Sequence, residues 1–181
     1  MEEMYNKINS LAQQIVEKCT AAGVKISTAE SCTGGMISAA VTAVSGSSAV
    51  IELGICSYSN RIKRDILGVT ESTLVQFSEY STVCAEEMAR GAIKVSGADF
   101  AVATSGVAGP TGGTEKNPVG TVYICASDGN SVTSEKCLFE NNGRDHIRAA
   151  ATEKALEMLL DKILKTTPNL QTIQSKGKEN G

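Results

Sequence analysis

Serine, tyrosine and lysine side chains occur at spacings in this chain that could cleave an acyl bond without a metal. The run Ser31-Cys32-Thr33-Gly34-Gly35 leaves one apolar stretch and precedes another. Free amides at such a helix start favour an anion or a developing oxyanion, and the glycines let a ligand come close. An ordinary strand-to-helix turn has the same composition. The second run is Tyr58-Ser59-Asn60-Arg61-Ile62-Lys63. With Asn60 as cap of a helix, Lys63 falls one turn in, near the strand end that carries Tyr58. A desolvated lysine has a lowered pKa and can take the proton of a serine, although a solvated surface lysine fits this spacing too. The third run, residues 105–120, includes Ser105, Gly106, Gly109, Pro110 and Pro118 and suits a substrate-covering loop or a plain flexible connection. Arg144 and Arg148 lie four apart, hence on one face of a helix, and a guanidinium fork matches a phosphate. The single histidine, His146, points away from that pair on a helical wheel. Any metal site or Ser-His-Asp triad that needs a histidine would have to use it.

The elements that must position these residues follow from periodicity. Ile8, Leu11, Ala12, Ile15, Val16 and Cys19 form one helical stripe closed by Gly23. A short strand is expected at Val24–Thr28, a buried helix at Met36–Val44 and a strand over residues 50–58. Helices are predicted from Asn60 to Leu67, from Thr70 to Phe77 and from about Ala85 to Ser96. Asp99–Thr104 reads as a buried strand. Val119–Ser127 and Ser131–Phe139 read as a hairpin around Asp128-Gly129-Asn130. A final helix over Arg144–Lys165 completes an α/β domain, a three-layer α/β/α sandwich around a mixed β-sheet. Residues 1–165 are expected to form a single domain and 166–181 a mobile polar tail.

Composition narrows the function classes. Seventeen Lys and Arg against 20 Asp and Glu give a net charge of −3, which argues against a dedicated nucleic-acid binder but not against a local phosphate pocket. The acidic start, MEEMYNKINS, lacks the pattern of a secretory signal, and no apolar run is long enough for a membrane span. A cytoplasmic protein without membrane attachment is expected. The cysteines Cys19, Cys32, Cys56, Cys84, Cys125 and Cys137 form no CxxC pair, so reduced, buried thiols are expected rather than structural zinc.

Together the segments resemble one family. Thr28-Ala29-Glu30-Ser31-Cys32-Thr33-Gly34-Gly35, Tyr58-Ser59-Asn60 with Lys63, Ser105-Gly106-Val107-Ala108-Gly109-Pro110 and Pro118-Val119-Gly120-Thr121-Val122 occur in order, as in the CinA C-terminal-domain family and its stand-alone nicotinamide-nucleotide amidohydrolases. The resemblance covers roughly residues 5 to 164. It implies hydrolysis of nicotinamide mononucleotide (NMN) to nicotinate mononucleotide and ammonia in pyridine nucleotide salvage, with no cofactor or metal. It further implies Ser31 as nucleophile, Lys63 as general base and Tyr58 beside them. Thr33, Gly34, Gly35, Asn60, Ser105, Gly106, Gly109 and Arg144 are the expected substrate-binding positions. The amides near Thr33-Gly34-Gly35 are expected to hold the oxyanion, and Arg144 with the glycine-rich loop to hold the phosphate. Self-association into a homodimer or larger homo-oligomer is implied by the same analogy. The alternative is an inactive nucleotide-binding or regulatory module of the same fold.

Two departures from the family pattern carry expectations of their own. Val83-Cys84-Ala85 stands where the family commonly has Val-Ser-Glu, so Cys84→Ser is expected to restore a helix cap and stabilise the protein. Phe139-Glu140-Asn141-Asn142-Gly143-Arg144 replaces the usual Phe-Ser-Gly-Asp-Arg, which alters the approach to Arg144.

Overall fold

The computed structural model describes residues 1–167. Five strands, β1 (Ile26–Glu30), β2 (Ile51–Cys56), β3 (Phe100–Gly106), β4 (Thr121–Ser127) and β5 (Val132–Leu138), form one sheet in the order β2-β1-β3-β4-β5. β1 runs parallel to both β2 and β3, whereas β4 is antiparallel to β3 and to β5. Helices α1 (Glu2–Ala22), α2 (Met36–Thr42) and α6 (Arg144–Thr166) cover one face. Helices α3 (Asn60–Leu67), α4 (Glu71–Gln76) and α5 (Thr82–Ser96) lie on the other. This is the three-layer α/β/α sandwich with a mixed sheet.

Alternation along the central strands builds the two cores. Phe100, Val102, Val122, Ile124 and Ala126 enter the cluster under α1, α2 and α6. Ala101, Ala103, Tyr123 and Cys125 enter the cluster under α5. Strands covered on both faces read as continuous apolar runs, which is why Phe100–Thr104 stands out in the sequence. The edge strands β2 and β5 instead alternate between partly covered and exposed side chains.

Several element boundaries differ from the sequence expectation, each for a local reason. Gly23 closes α1 in the left-handed region, and the Val24 amide still bonds back to Cys19 O, so β1 starts at Ile26. Ser59, not Asn60, caps α3: its hydroxyl accepts the Ile62 amide at 3.3 Å. Ser81 caps α5 through the Cys84 amide at 3.2 Å, so this helix starts at Thr82 and not at Ala85. Cys84 is therefore inside the first turn and fully buried, and the missing cap read at that position does not exist. Thr166, read as the first tail residue, is the last residue of α6, and the rest of the expected tail, from 168, lies outside the described residues. Four of the six thiols are buried, but Cys56 on β2 is exposed, contrary to expectation.

The chain leaves β1 through α2 on one face to reach β2, then crosses through α3, α4 and α5 on the opposite face to β3. The carboxyl ends of β1 and β3 thus flank a switch in winding direction, where α/β sheets open a crevice. Ser31-to-Gly35 and the segment after Gly106 both start there.

Candidate active site

The turn after β1 is organised by a residue the sequence reading passed over. Glu30 is completely buried, and six donors converge on its carboxylate. They are the hydroxyls of Thr28, Thr33 and Ser38 at 3.3, 2.8 and 2.6 Å and the amides of Gly35, Ile37 and Ser38 at 2.9, 3.1 and 2.9 Å. Three otherwise unpaired amides at the start of α2 are thereby satisfied from within the chain. The Ser31 amide bonds Thr104 O on β3 at 3.0 Å, and the Thr33 and Thr104 hydroxyls meet at 2.8 Å. Ser31 is thus fixed from both strands. A carboxylate directly ahead of Ser-x-Thr-Gly-Gly was the available signal, but it stands five positions before Gly35, outside the spacing of a capping box.

Lys63 reaches this serine from the opposite layer. Its side chain is 1% exposed, and Nζ donates to Ser31 Oγ at 3.1 Å and to Ser57 O at 2.8 Å. The phase of α3 explains the burial: Lys63 and Leu67, four apart, form the face turned inward, while Arg61 and Arg64 stay exposed. Gly91 sets how close that helix can come, because a Cβ there would lie 1.9 Å from Leu67 O. Burial pushes the Lys63 ammonium below its ordinary pKa of 10.5, against weaker opposing effects of Cys84, Glu79 and Cys32. Burial thus disfavours the charged form of a nitrogen that lies within hydrogen-bond reach of a serine hydroxyl, an arrangement that can serve proton transfer.

Beside the pair is a cavity of about 90 Å³ lined by Cys32, Tyr58, Tyr80, Gly106–Gly109, Thr111, Gly112 and Arg144. Ser31, 7% exposed, directly precedes Cys32 in the chain, although neither it nor Lys63 lines the cavity itself. Larger clefts, such as one of about 550 Å³ between α1 and α2, hold neither Ser31 nor Lys63. Arg144 closes the rim: its Nη1 donates to Gly109 O at 2.7 Å and its Nη2 to the Tyr58 hydroxyl at 2.9 Å. Arg148, one turn on, donates to Cys32 O at 3.3 Å and Thr33 O at 2.9 Å and so ties α6 to the serine turn.

The other expected positions separate into those at the site and those that support it. Gly106 and Gly109 line the cavity. A side chain at Gly106 would place its Cβ 2.4 Å from Thr121 O, so glycine there lets the loop leave the sheet. Ser105 is fully buried and its hydroxyl donates to Glu79 O at 2.7 Å, a supporting role. Asn60 is an exposed residue of α3 away from the cavity. Tyr58 is 61% exposed and bonds Arg144, not Ser31 or Lys63. The Gly34 amide donates to Ser31 O at 3.1 Å and the Gly35 amide to Glu30. Neither of these two is free for an oxyanion. The Cys32 and Thr33 amides, which face the Cys32 sulfur, donate to no oxygen among the described residues. His146 stands partly buried on α6 and outside the cavity. Among the described residues no three His, Cys, Asp or Glu side chains gather into a metal-binding group, and no helix is long and apolar enough to cross a membrane.

A wound sheet that brings a buried lysine onto a serine at its switch point defines a small α/β protein with a Ser–Lys pair at its strand ends. The family model of the CinA C-terminal domain matches residues 8–163, and the chain belongs to that family. It is 40% identical over 164 residues to the nicotinamide-nucleotide amidohydrolase PncC of Escherichia coli K12, covering 90% of this chain and 98% of that protein. It is 41% identical over 157 residues to a CinA-like protein of Shewanella sediminis, of which the match spans only 37%. Among solved structures, the competence/damage inducible protein CihA of Agrobacterium tumefaciens superposes with a TM-score of 0.84 at 44% identity, covering 86% of this chain and 94% of that one. A CinA superfamily protein of Klebsiella pneumoniae gives a TM-score of 0.83 at 32% identity, covering 87% and 98%.

Proposed function

We propose that this protein is a nicotinamide-nucleotide amidohydrolase that converts NMN and water to nicotinate mononucleotide and ammonia, within pyridine nucleotide salvage. The observation that carries the chemistry is the 3.1 Å contact between the buried Lys63 Nζ and Ser31 Oγ. The name of the near-full-length Escherichia coli relative supports the substrate.

In this reading Ser31 Oγ attacks the amide carbonyl carbon while its proton passes to neutral Lys63. The proton moves directly, since Tyr58 is engaged at the rim by Arg144. The Cys32 and Thr33 amides are the donors available to the oxyanion, and loss of one such donor typically costs on the order of 100-fold or more. When the carbon–nitrogen bond breaks, Lys63 returns the proton to the leaving amine and ammonia departs. Water then attacks the Ser31 ester, gives a proton to Lys63, and the carboxylate leaves as Ser31 is reprotonated. Arg144 and the amides of the glycine-rich loop receive the 5′-phosphate by exchanging Gly109 O and Tyr58 for phosphate oxygens.

The decisive test is ammonia release from NMN by the EDTA-treated protein, with Ser31→Ala alongside. Release by the wild type and none by Ser31→Ala is expected. Release by both would remove the serine mechanism, and binding of NMN without release by the wild type would leave a nucleotide-binding module.

A further inference from the structure

Tyr80 lines the cavity in a way that packing alone does not account for. The preceding residue but one, Ser78, is the only non-glycine among the described residues with a positive φ, +67°. A left-handed serine costs conformational energy and persists where the surroundings over-determine it. Here they do. The Tyr80 amide bonds Ser78 Oγ at 3.2 Å, and Ser81 Oγ bonds Ser78 O at 2.9 Å. The two ends of the glycine-rich segment then grip the same stretch: Ser105 Oγ donates to Glu79 O at 2.7 Å and Asn117 Nδ2 to Tyr80 O at 3.3 Å. Asn117 is itself 5% exposed and held by the Tyr123 hydroxyl at 2.8 Å. Four hydrogen bonds thus fasten the backbone from Ser78 to Tyr80, two of them at Tyr80 itself.

Its side chain is not. The ring packs partly against the α5-side core, but the hydroxyl makes no hydrogen bond with any described residue. Burial, with Glu79, Tyr58 and Cys32 nearby, raises its pKa, so the group stays a neutral O–H donor at working pH. A phenylalanine would serve the core equally well. What the core leaves unexplained is a phenol on a firmly held backbone, with a free hydroxyl, at the cavity beside the serine turn.

We infer that Tyr80 is a specificity-determining residue, the electron-rich face on which a planar, cationic heteroaromatic ring of the substrate stacks, with its hydroxyl bonded to the ligand. The inference rests on the proposed amidohydrolase reading for the identity of that ring, the pyridinium of NMN. A cation over a tyrosine face is attracted by the ring quadrupole, and more strongly when desolvated.

The experiment measures binding of NMN and of ribose 5-phosphate, which lacks the ring, to Tyr80→Phe, Tyr80→Leu and unaltered Tyr80, all in a Ser31→Ala background. Tyr80→Leu keeps an apolar side chain against the core but removes the aromatic face. NMN binding is expected to weaken about tenfold in Tyr80→Leu and a few-fold in Tyr80→Phe, with ribose 5-phosphate unchanged in both. Unchanged ribose 5-phosphate binding also shows that the variants are folded. Equal weakening of both ligands, or no weakening of NMN, overturns the role of Tyr80. Ammonia release by the wild-type protein is scored separately. If it is absent while the NMN contrast holds, the amidohydrolase reading falls and the stacking wall stands; if NMN does not bind at all, both fall.

Discussion

In the proposed mechanism Lys63 has to be uncharged to act and buried to be uncharged, and the two requirements give opposite signs to activity and stability. Its pKa in the folded protein is below 10.5, so between the folded value and 10.5 the unfolded chain binds more protons. Wild-type stability therefore rises with pH across that interval. Lys63→Met removes the titration. Its melting temperature relative to wild type is expected to be most favourable at low pH and to lose ground steadily toward pH 10.5. A difference that does not vary with pH would mean the buried nitrogen keeps its proton. Ammonia release should rise with pH through the lowered pKa in the wild type and be absent in the variant. In the sequence this lysine is one of three cations in Arg61-Ile62-Lys63-Arg64, and only helix phase, shared with Leu67, separates it from its exposed neighbours. Its partner Ser57 O could not be read from sequence at all, because a backbone carbonyl has no signature of its own.

At the scale of elements, most helices and strands were legible because apolar periodicity reports which face is covered. Their ends were less so, because caps depend on single hydrogen bonds. Ser81 shows this: Val83 and Cys84 already lie in the first turn of α5, yet where the helix starts is set by the single bond from the Cys84 amide to the Ser81 hydroxyl. Ser81→Ala is expected to cost about 1 kcal/mol in a denaturant melt. Cys84→Ser should lower stability rather than raise it, since the thiol is fully buried in an apolar cluster and the amide of that residue is already part of the Ser81 cap. A second element-level device is the β4–β5 turn. Lys162 on α6 lies 3.2 Å from Asp128, with side chains 8% and 9% exposed. Burial alone would raise the Asp128 pKa, but hydrogen bonds from Ser131, Lys162 and Thr166 hold its carboxyl well below the usual range. Asp128→Ala strands a largely buried ammonium and is expected to cost about 3 kcal/mol. That contribution is present at neutral pH and lost only as acid protonates Asp128. The hairpin was evident from Asp128-Gly129-Asn130, but its tether to a helix more than thirty residues on was not.

For the whole molecule, the sheet order puts the ends of β1 and β3 side by side and delivers α3 from the opposite face, which is how distant runs of sequence meet. The candidate residues were found as separate runs, with Ser31, Lys63 and Tyr58 grouped by resemblance; the packing puts Ser31 and Lys63 in contact and leaves Tyr58 at the rim with Arg144. The cavity of about 90 Å³ is smaller than a typical ligand site of roughly 300–1,000 Å³. On the proposed function a mononucleotide would have to displace part of the glycine-rich loop, and Arg144 is one of the groups that hold it, through Gly109 O. Arg144→Ala is expected to raise the KM for NMN about tenfold or more while leaving kcat less affected. An unchanged KM would place the phosphate elsewhere.

The carboxylate of Glu30 has a consequence for the direction in which a substrate enters. It occupies the start of α2 as a resident counter-ion, so the one spot beside Ser31 that would welcome a phosphate is already filled by the chain's own negative group. On the proposed function a molecule with an anionic end and a neutral amide end would then be sorted by charge: the phosphate would stop at Arg144 on the rim, and the amide would go in first. Turnover would convert that inner end into a carboxylate facing Glu30 across the serine turn. The site would thus come to repel what it has just made, and release would be favoured by the same charge that guided entry.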